Sequence, residues 1–257
     1  MPEQPNKKKE IQLTSLSGII SKTLDSLLKT ETTPKKKKKK GKEGNKVNHS
    51  PAFHIFSHSI ERSKNLLKIH QDAHGKRAKP EKHLSDIHRA AVVLAISALD
   101  AFVCKFVTTK ITILLADNSK ELPAPLLNKI REATEKSKPT LILEAVKQNN
   151  IRQIVEKMLH EEYEKKTFQG TDSIEACLKI IGYDDIFNII ASKAKMHEGD
   201  LKRDLNEYTN RRHTIVHRGD FDAIENPPKT ENPITKTYAN NCIRLIEKIA
   251  KQINELK

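Results

Sequence analysis

Apolar residues recur along this chain at helical spacing, and no stretch alternates apolar and polar positions in the way a strand requires. Ser50-Pro51 opens the first clear pattern, with serine as N-cap and proline in the first turn. Phe53, Phe56, Ile60, Leu67 and His70 then share a face to about Gly75. From His83 to about Ala116 the chain is at its most hydrophobic, with Val92, Val93, Leu94, Ile96, Leu99, Phe102, Val103 and Phe106 among its residues. A helix apolar nearly all round belongs at the centre of a bundle. Asp100 interrupts it. A buried carboxylate needs a partner. That partner is either a backbone or arginine donor that sets the helix register, or a catalytic arginine or histidine that Asp100 orients.

Residues 117–199 predict further helices and no chemical motif. Leu122 to Lys136 is short and proline-led. Thr140 can cap a helix running to about Lys165, carrying Leu141, Leu143, Val146, Ile151, Ile154, Val155, Met158 and Leu159. Asp172 and Glu175 have the spacing of a capping box, opening a helix that ends at Gly182, and Tyr183 to Met196 gives another. The stretch is expected to be an inserted helical layer. Gly199-Asp200 then stops one helix and caps the next, whose stripe is Leu201, Leu205, Tyr208 and Ile215 and whose end falls near Gly219. After the proline-containing loop from Asn226 to Pro233, a last helix places Ile234, Tyr238, Cys242, Leu245, Ile246, Ile249 and Ile253 on one face. The expected fold is all-α, in a domain over residues 50–257.

Charge adds a partner. The chain has 257 residues and a formal net charge of +14, which points to a polyanion, nucleic acid first. Part of the surplus is the run Lys35, Lys36, Lys37, Lys38, Lys39 and Lys40, within a tail over residues 1–49 that has too little apolar surface to offset its ordering entropy. Ile11 to Leu28 is a short amphipathic exception, and the lysines would add phosphate affinity through counterion release. Cys104, Cys177 and Cys242 are widely spaced among apolar neighbours, the pattern of buried free thiols in a reducing compartment rather than of a disulfide framework. No signal-peptide core follows the N-terminal methionine, and the longest apolar run, Ala90 to Leu99, is too short to span a bilayer. A cytoplasmic protein is expected, with no membrane partner.

The candidate chemistry lies in Asn210-Arg211-Arg212-His213-Thr214-Ile215-Val216-His217-Arg218-Gly219-Asp220. At ~100° per residue, His213 and His217 lie one turn apart on one face, and Asn206 and Asn210 continue that stripe. Arg212 falls by phase on the apolar side, so it must be paired or reach the polar edge. Histidine transfers protons near neutral pH, and a guanidinium can hold non-bridging phosphate oxygens and stabilise a pentacoordinate transition state. RNA brings its own nucleophile, the 2′-OH, so a histidine and an arginine can suffice without a metal. Arg211, Arg218 and the six lysines are expected to contact RNA.

Arg212-His213-Thr214-Ile215-Val216-His217 resembles the R-[N/D/H]-x-x-x-H pattern of HEPN-domain ribonucleases. Arg218-Gly219-Asp220 and the segment Ala98-Leu99-Asp100-Ala101-Phe102 are similar to the RiboL-PSP-HEPN-like branch of that superfamily. The resemblance implies an antiparallel helical bundle and a metal-independent endoribonuclease that needs no cofactor and leaves 2′,3′-cyclic phosphate and 5′-OH ends. It also implies a homodimer in which two strips line one cleft, and a setting in toxin–antitoxin or antiviral defence with a partner protein. Arg212 and His217 take the family's catalytic positions, and His213 takes the polar position most often filled by asparagine. Asp100, Asn210 and Asp220 would support them. Two other readings compete: a non-catalytic nucleic-acid-binding or scaffold module, and a metal site on His213 and His217, which lacks a third ligand.

Overall fold

The structure is a computed structural model that describes residues 50–74, 84–117, 119–221 and 231–256. The basic tail with its lysine run, the Ile11 to Leu28 stretch and Asn226-Pro227-Pro228 lie outside these residues. Nine helices occur among the described residues: α1 (Pro51–His74), α2 (Ser85–Ala116), α3 (Ala124–Glu135), α4 (Pro139–Lys147), α5 (Ile151–Glu164), α6 (Thr171–Ile180), α7 (Ile186–Ala194), α8 (Glu198–Arg218) and α9 (Lys236–Asn254). The described residues contain no strand, only an isolated bridge between Phe221 and Glu231. The fold is an all-α helical bundle.

The helix starts show how local chemistry sets these elements. Ser50 Oγ accepts from Phe53 N at 3.2 Å, so the expected N-cap of α1 is formed. Thr235 Oγ1 does the same for Tyr238 N at α9, at 3.1 Å. Other boundaries differ from the sequence expectation. The helix expected from Thr140 to Lys165 is two helices, because Asn149 takes a left-handed φ of 53° and Asn150 N closes back on Ala145 O. Pro139, not Thr140, opens α4. The capping box at Asp172 and Glu175 does not form: Gly170 is the cap position, Asp172 already lies inside α6, and Glu175 pairs with Lys202 at 2.8 Å. Gly199 and Asp200 likewise lie in the first turn of α8, which starts one residue after His197.

Two compact units divide the chain. One comprises the described residues of Lys110–Glu162; the other comprises the described residues of Lys46–Thr109 and Tyr163–Lys257. In the first, Ile111, Leu115, Leu126, Ile130, Ile142, Val155 and Leu159 are buried. The second holds the candidate site. There α9 packs on α1, α7 and α8, and α6 packs on α7 and α8. The division between the units falls inside the stretch 117–199: α6 and α7 lie in the same unit as the helices of the site.

Ile96, Leu99 and Phe102 of α2 are fully buried, with Phe102 in ring contact with Phe53, Phe56 and Phe106. From α9, Cys242, Ile246, Ile249 and Ile253 are fully buried. Each such aliphatic side chain contributes about 1.5–3 kcal/mol relative to exposure. By length and composition α2 could cross a bilayer, contrary to the expectation drawn from its ten-residue apolar run. Its side chains Ala91, Val92, Ile96, Leu99, Phe102, Val103 and Val107 are instead buried in the protein, while Ile113 is 55% exposed.

Candidate functional site

The candidate strip is the C-terminal half of α8. Glu198 and Asp200 sit in the first turn and His217 and Arg218 in the last, a distribution that suits the helix dipole. Leu201 and Leu205 are fully buried and anchor one face, and Tyr208 and Ile215 continue it half-buried. The opposite stripe splits in two. Asn206 Oδ1 accepts from Thr171 N at 3.0 Å and its Nδ2 donates to Thr171 Oγ1 at 2.9 Å. Because Gly170 has no side chain, Asn206 supplies the capping acceptor for α6 from another helix. Asn210, His213 and His217 remain exposed, the two imidazoles with ring centroids 4.4 Å apart. Val216, between them in sequence, is 47% exposed.

The three arginines of the strip separate just as clearly. Arg218 is exposed. Arg212 is half-buried on the seam that Leu201, Leu205 and Tyr208 begin, its Nε enclosed and without a hydrogen bond. No carboxylate among the described residues pairs with it. Arg211 is occupied. Its Nη2 donates to Asp220 Oδ2 at 2.8 Å, to Asn232 O at 3.0 Å and to Pro233 O at 3.1 Å, and its guanidinium lies 5.9 Å from the Tyr238 ring centre. The Arg211 guanidinium, expected from the sequence to contact RNA, is used within the fold by these partners.

Asp220 is the centre of that arrangement and is fully buried. Gly219 ends α8 at φ +61°, and Asp220 follows at φ +67°. Glycine meets this left-handed backbone without cost, and aspartate tolerates it better than most side chains. The double turn brings Asp220 back over its own helix. Its Oδ2 accepts from Arg89 Nε at 2.6 Å as well as from Arg211. Arg89 also donates to Ser85, Asp86 and Asn232 O, and lies 3.3 Å from Glu231. Burial alone would lower the pKa of Arg89, but the carboxylates of Asp220, Asp86 and Glu231 together outweigh it and the net direction is up. Removing one partner of such a buried pair costs about 3–5 kcal/mol, since the other charge stays buried.

Asp100 does not meet Arg212. Its Oδ1 accepts from Phe168 N at 2.6 Å and its Oδ2 from Gln169 Nε2 at 2.8 Å, so its partners are a backbone donor and an amide. It orients the segment leading into α6, which Thr209 of α8 also holds by donating to Gln169 O at 2.9 Å. The link from Asp100 to the strip thus runs through residues 168–171 rather than through Arg212, beside the separate link that Arg89 makes through Asp220.

Sequence reasoning missed Arg89, Asn232 and Gln169. Arg89 left one signal, a lone guanidinium at the head of the most apolar helix, where a charge needs a partner. Asn232 acts through its backbone, which no residue type announces. Cys177 and Cys242 are buried free thiols and Cys104 is half-buried; burial pushes Cys177 up to about 12. Among the described residues no three histidine, cysteine, aspartate or glutamate side chains converge as a metal site would need.

These features define a class, an all-α bundle with an arginine–histidine strip at the end of one two-faced helix. The family follows: the model of the RiboL-PSP-HEPN family matches residues 57–255, and the chain belongs to that family. Membership in a HEPN family makes this a nuclease- or RNA-related module. No curated protein matches the chain, and no solved structure does.

Proposed function

We propose that the protein is a metal-independent endoribonuclease whose strip is Arg212, His213 and His217. One observation carries this reading: Arg212, half-buried and with no carboxylate partner among the described residues, lies on the same two helical turns as an exposed pair of imidazoles. A structural arginine at that depth would be expected to have a counter-ion, as Arg89 and Arg211 do. A guanidinium without one is suited to a phosphate.

In the reaction the 2′-OH of RNA attacks the adjacent phosphorus. The O2′–P bond forms and the P–O5′ bond breaks, leaving a 2′,3′-cyclic phosphate and a 5′-OH. His217 would take the 2′-OH proton or deliver one to the leaving 5′-oxygen, and His213 would share the proton transfer or position the phosphate. Arg212 would stabilise the extra negative charge on the phosphorane. Asn210 and Arg218, both exposed, would contact the strand. A second copy of the chain could bring another strip opposite, with Val216 offering apolar contact area. A cytoplasmic RNA target, and a toxin or antiviral-defence setting with a partner protein, belong to this reading.

Purified full-length protein incubated with mixed RNAs in EDTA tests it. Chelator-resistant cleavage with cyclic phosphate ends is expected. Salt-sensitive RNA binding without cleavage would replace it with a non-catalytic binding module, a reading that the net charge of +14 favours.

A further inference from the structure

Arg212 and His217 are five residues apart on one helix, and His217 is one residue from its end. Their relative direction therefore depends on the last turn of α8 staying helical. Helix ends fray unless their free carbonyls and termini are held. Here the end is held three times through one residue. Asp220 N donates to Thr214 O at 3.1 Å, Asp220 O accepts from Asn232 N at 2.8 Å, and the Asp220 carboxylate takes both Arg89 and Arg211. Arg211 lies at the start of the strip and Asp220 just beyond it, so their ion pair spans every residue from Arg212 to Gly219. Arg89 ties the same oxygen to α2, and both guanidiniums donate to Asn232 O at the approach to α9.

We infer that Arg89, Arg211 and Asp220 form a clamp whose role is to position the strip, setting His217 relative to Arg212 without touching substrate. The kinetic consequence rests on the ribonuclease reading, and the structural consequence does not. Opening the clamp lets the final turn unwind locally while the bundle stays folded, because the buried faces of α1, α6 and α9 are not part of it. A strip whose last turn samples other conformations still binds a polyanion but seldom holds the reacting geometry.

Arg211→Gln and Asp220→Asn in the full-length chain test this, with amide hydrogen exchange and steady-state RNA cleavage as readouts. Exchange at residues 213–221 is expected to accelerate ~10-fold or more while amides of α1 and α6 keep their protection. kcat is expected to fall roughly 10–100-fold with KM within about 3-fold, the signature of lost orientation rather than lost binding. Arg211→Lys, which keeps a cation near Asp220, should recover part of kcat. If Asp220→Asn fails to fold, Arg211→Gln decides alone, since Arg211 is only partly buried. Exchange that rises uniformly across the bundle, or stays unchanged at 213–221, overturns the clamp. So does a raised KM with kcat unchanged, which would make Arg211 an RNA contact. If the wild-type protein cuts no RNA, the ribonuclease reading fails and the exchange arm still decides the clamp.

Discussion

The second unit contains two histidine pairs with nearly the same ring geometry. His70 and His88 have centroids 4.0 Å apart and planes at 43°, and His213 and His217 have centroids 4.4 Å apart and planes at 43°. Their surroundings are opposite. His70 and His88 are each 4% exposed, between α1 and α2, whereas His213 and His217 stand in solvent. Burial pushes His88 down to about 4, and the neighbouring His70, Lys236 and Arg89 push the same way, against a contact with the Ile234 backbone. A neutral, enclosed imidazole packs as a core residue and has no access to a substrate. Residue type and ring geometry therefore say little about a histidine's role; access to solvent and to an anion-binding neighbour says much more.

The largest effect expected from this contrast is on cleavage. His217→Ala and Arg212→Ala should each lower the rate by about 10²–10³, the usual loss for one transition-state donor or proton carrier. His217→Ala, at an exposed position, should change stability by no more than about 0.5 kcal/mol in urea titration. Equal cleavage by wild type and variants would remove the chemical meaning of the exposed pair.

His88→Ala should do the reverse. It opens a cavity in the core and should cost roughly 2–4 kcal/mol in the same titration, with little change in kcat per folded molecule. A loss of kcat at unchanged stability would show that the buried pair acts on the reaction after all.

Acid should weaken the fold through His88. The unfolded chain takes up this proton near pH 6.5, and the folded protein only near pH 4. Between those values the unfolded state binds more protons, so stability falls as the pH drops through the window and is whole above it. Melting curves from pH 7 to 4 should show the slope, and His88→Leu should flatten it. An unchanged slope in that variant would assign the acid sensitivity to other groups.

The smallest effect concerns Asn206, which shares its stripe with the exposed histidines but is used for capping α6. Asn206→Ala should cost about 1 kcal/mol, as the loss of an N-cap does. It should leave cleavage unchanged once the protein is folded, and a kinetic defect would extend the working strip toward the start of α8.

Much of this was legible before any coordinates. Ser50-Pro51 announced α1, the run through Leu99 and Phe102 announced the core helix, and the two-sided phase of α8 placed His213 and His217 outward. The break at Asn149 was less legible, because the apolar spacing on either side of Asn149-Asn150 continues as though one helix ran through. The caps at Thr140 and Asp172 were misplaced because capping depends on backbone conformation, and Asn206 supplied from another helix what Gly170 lacks.

The sequence by itself determined the periodic faces, the exposed imidazoles and the family motif, all of which follow from spacing along a single helix. Only the tertiary structure decided which donors the half-buried Asp100 and the buried Asp220 meet. Asp100 meets Phe168 and Gln169 across 68 and 69 residues of sequence, and Asp220 meets Arg89 across 131. A buried charge takes whichever donor the fold brings within about 3 Å, and its own neighbours in sequence do not say which that is. That is why Arg211 and Arg212, adjacent and chemically identical, divide so differently: one is tied into the clamp, and the other has no carboxylate partner among the described residues.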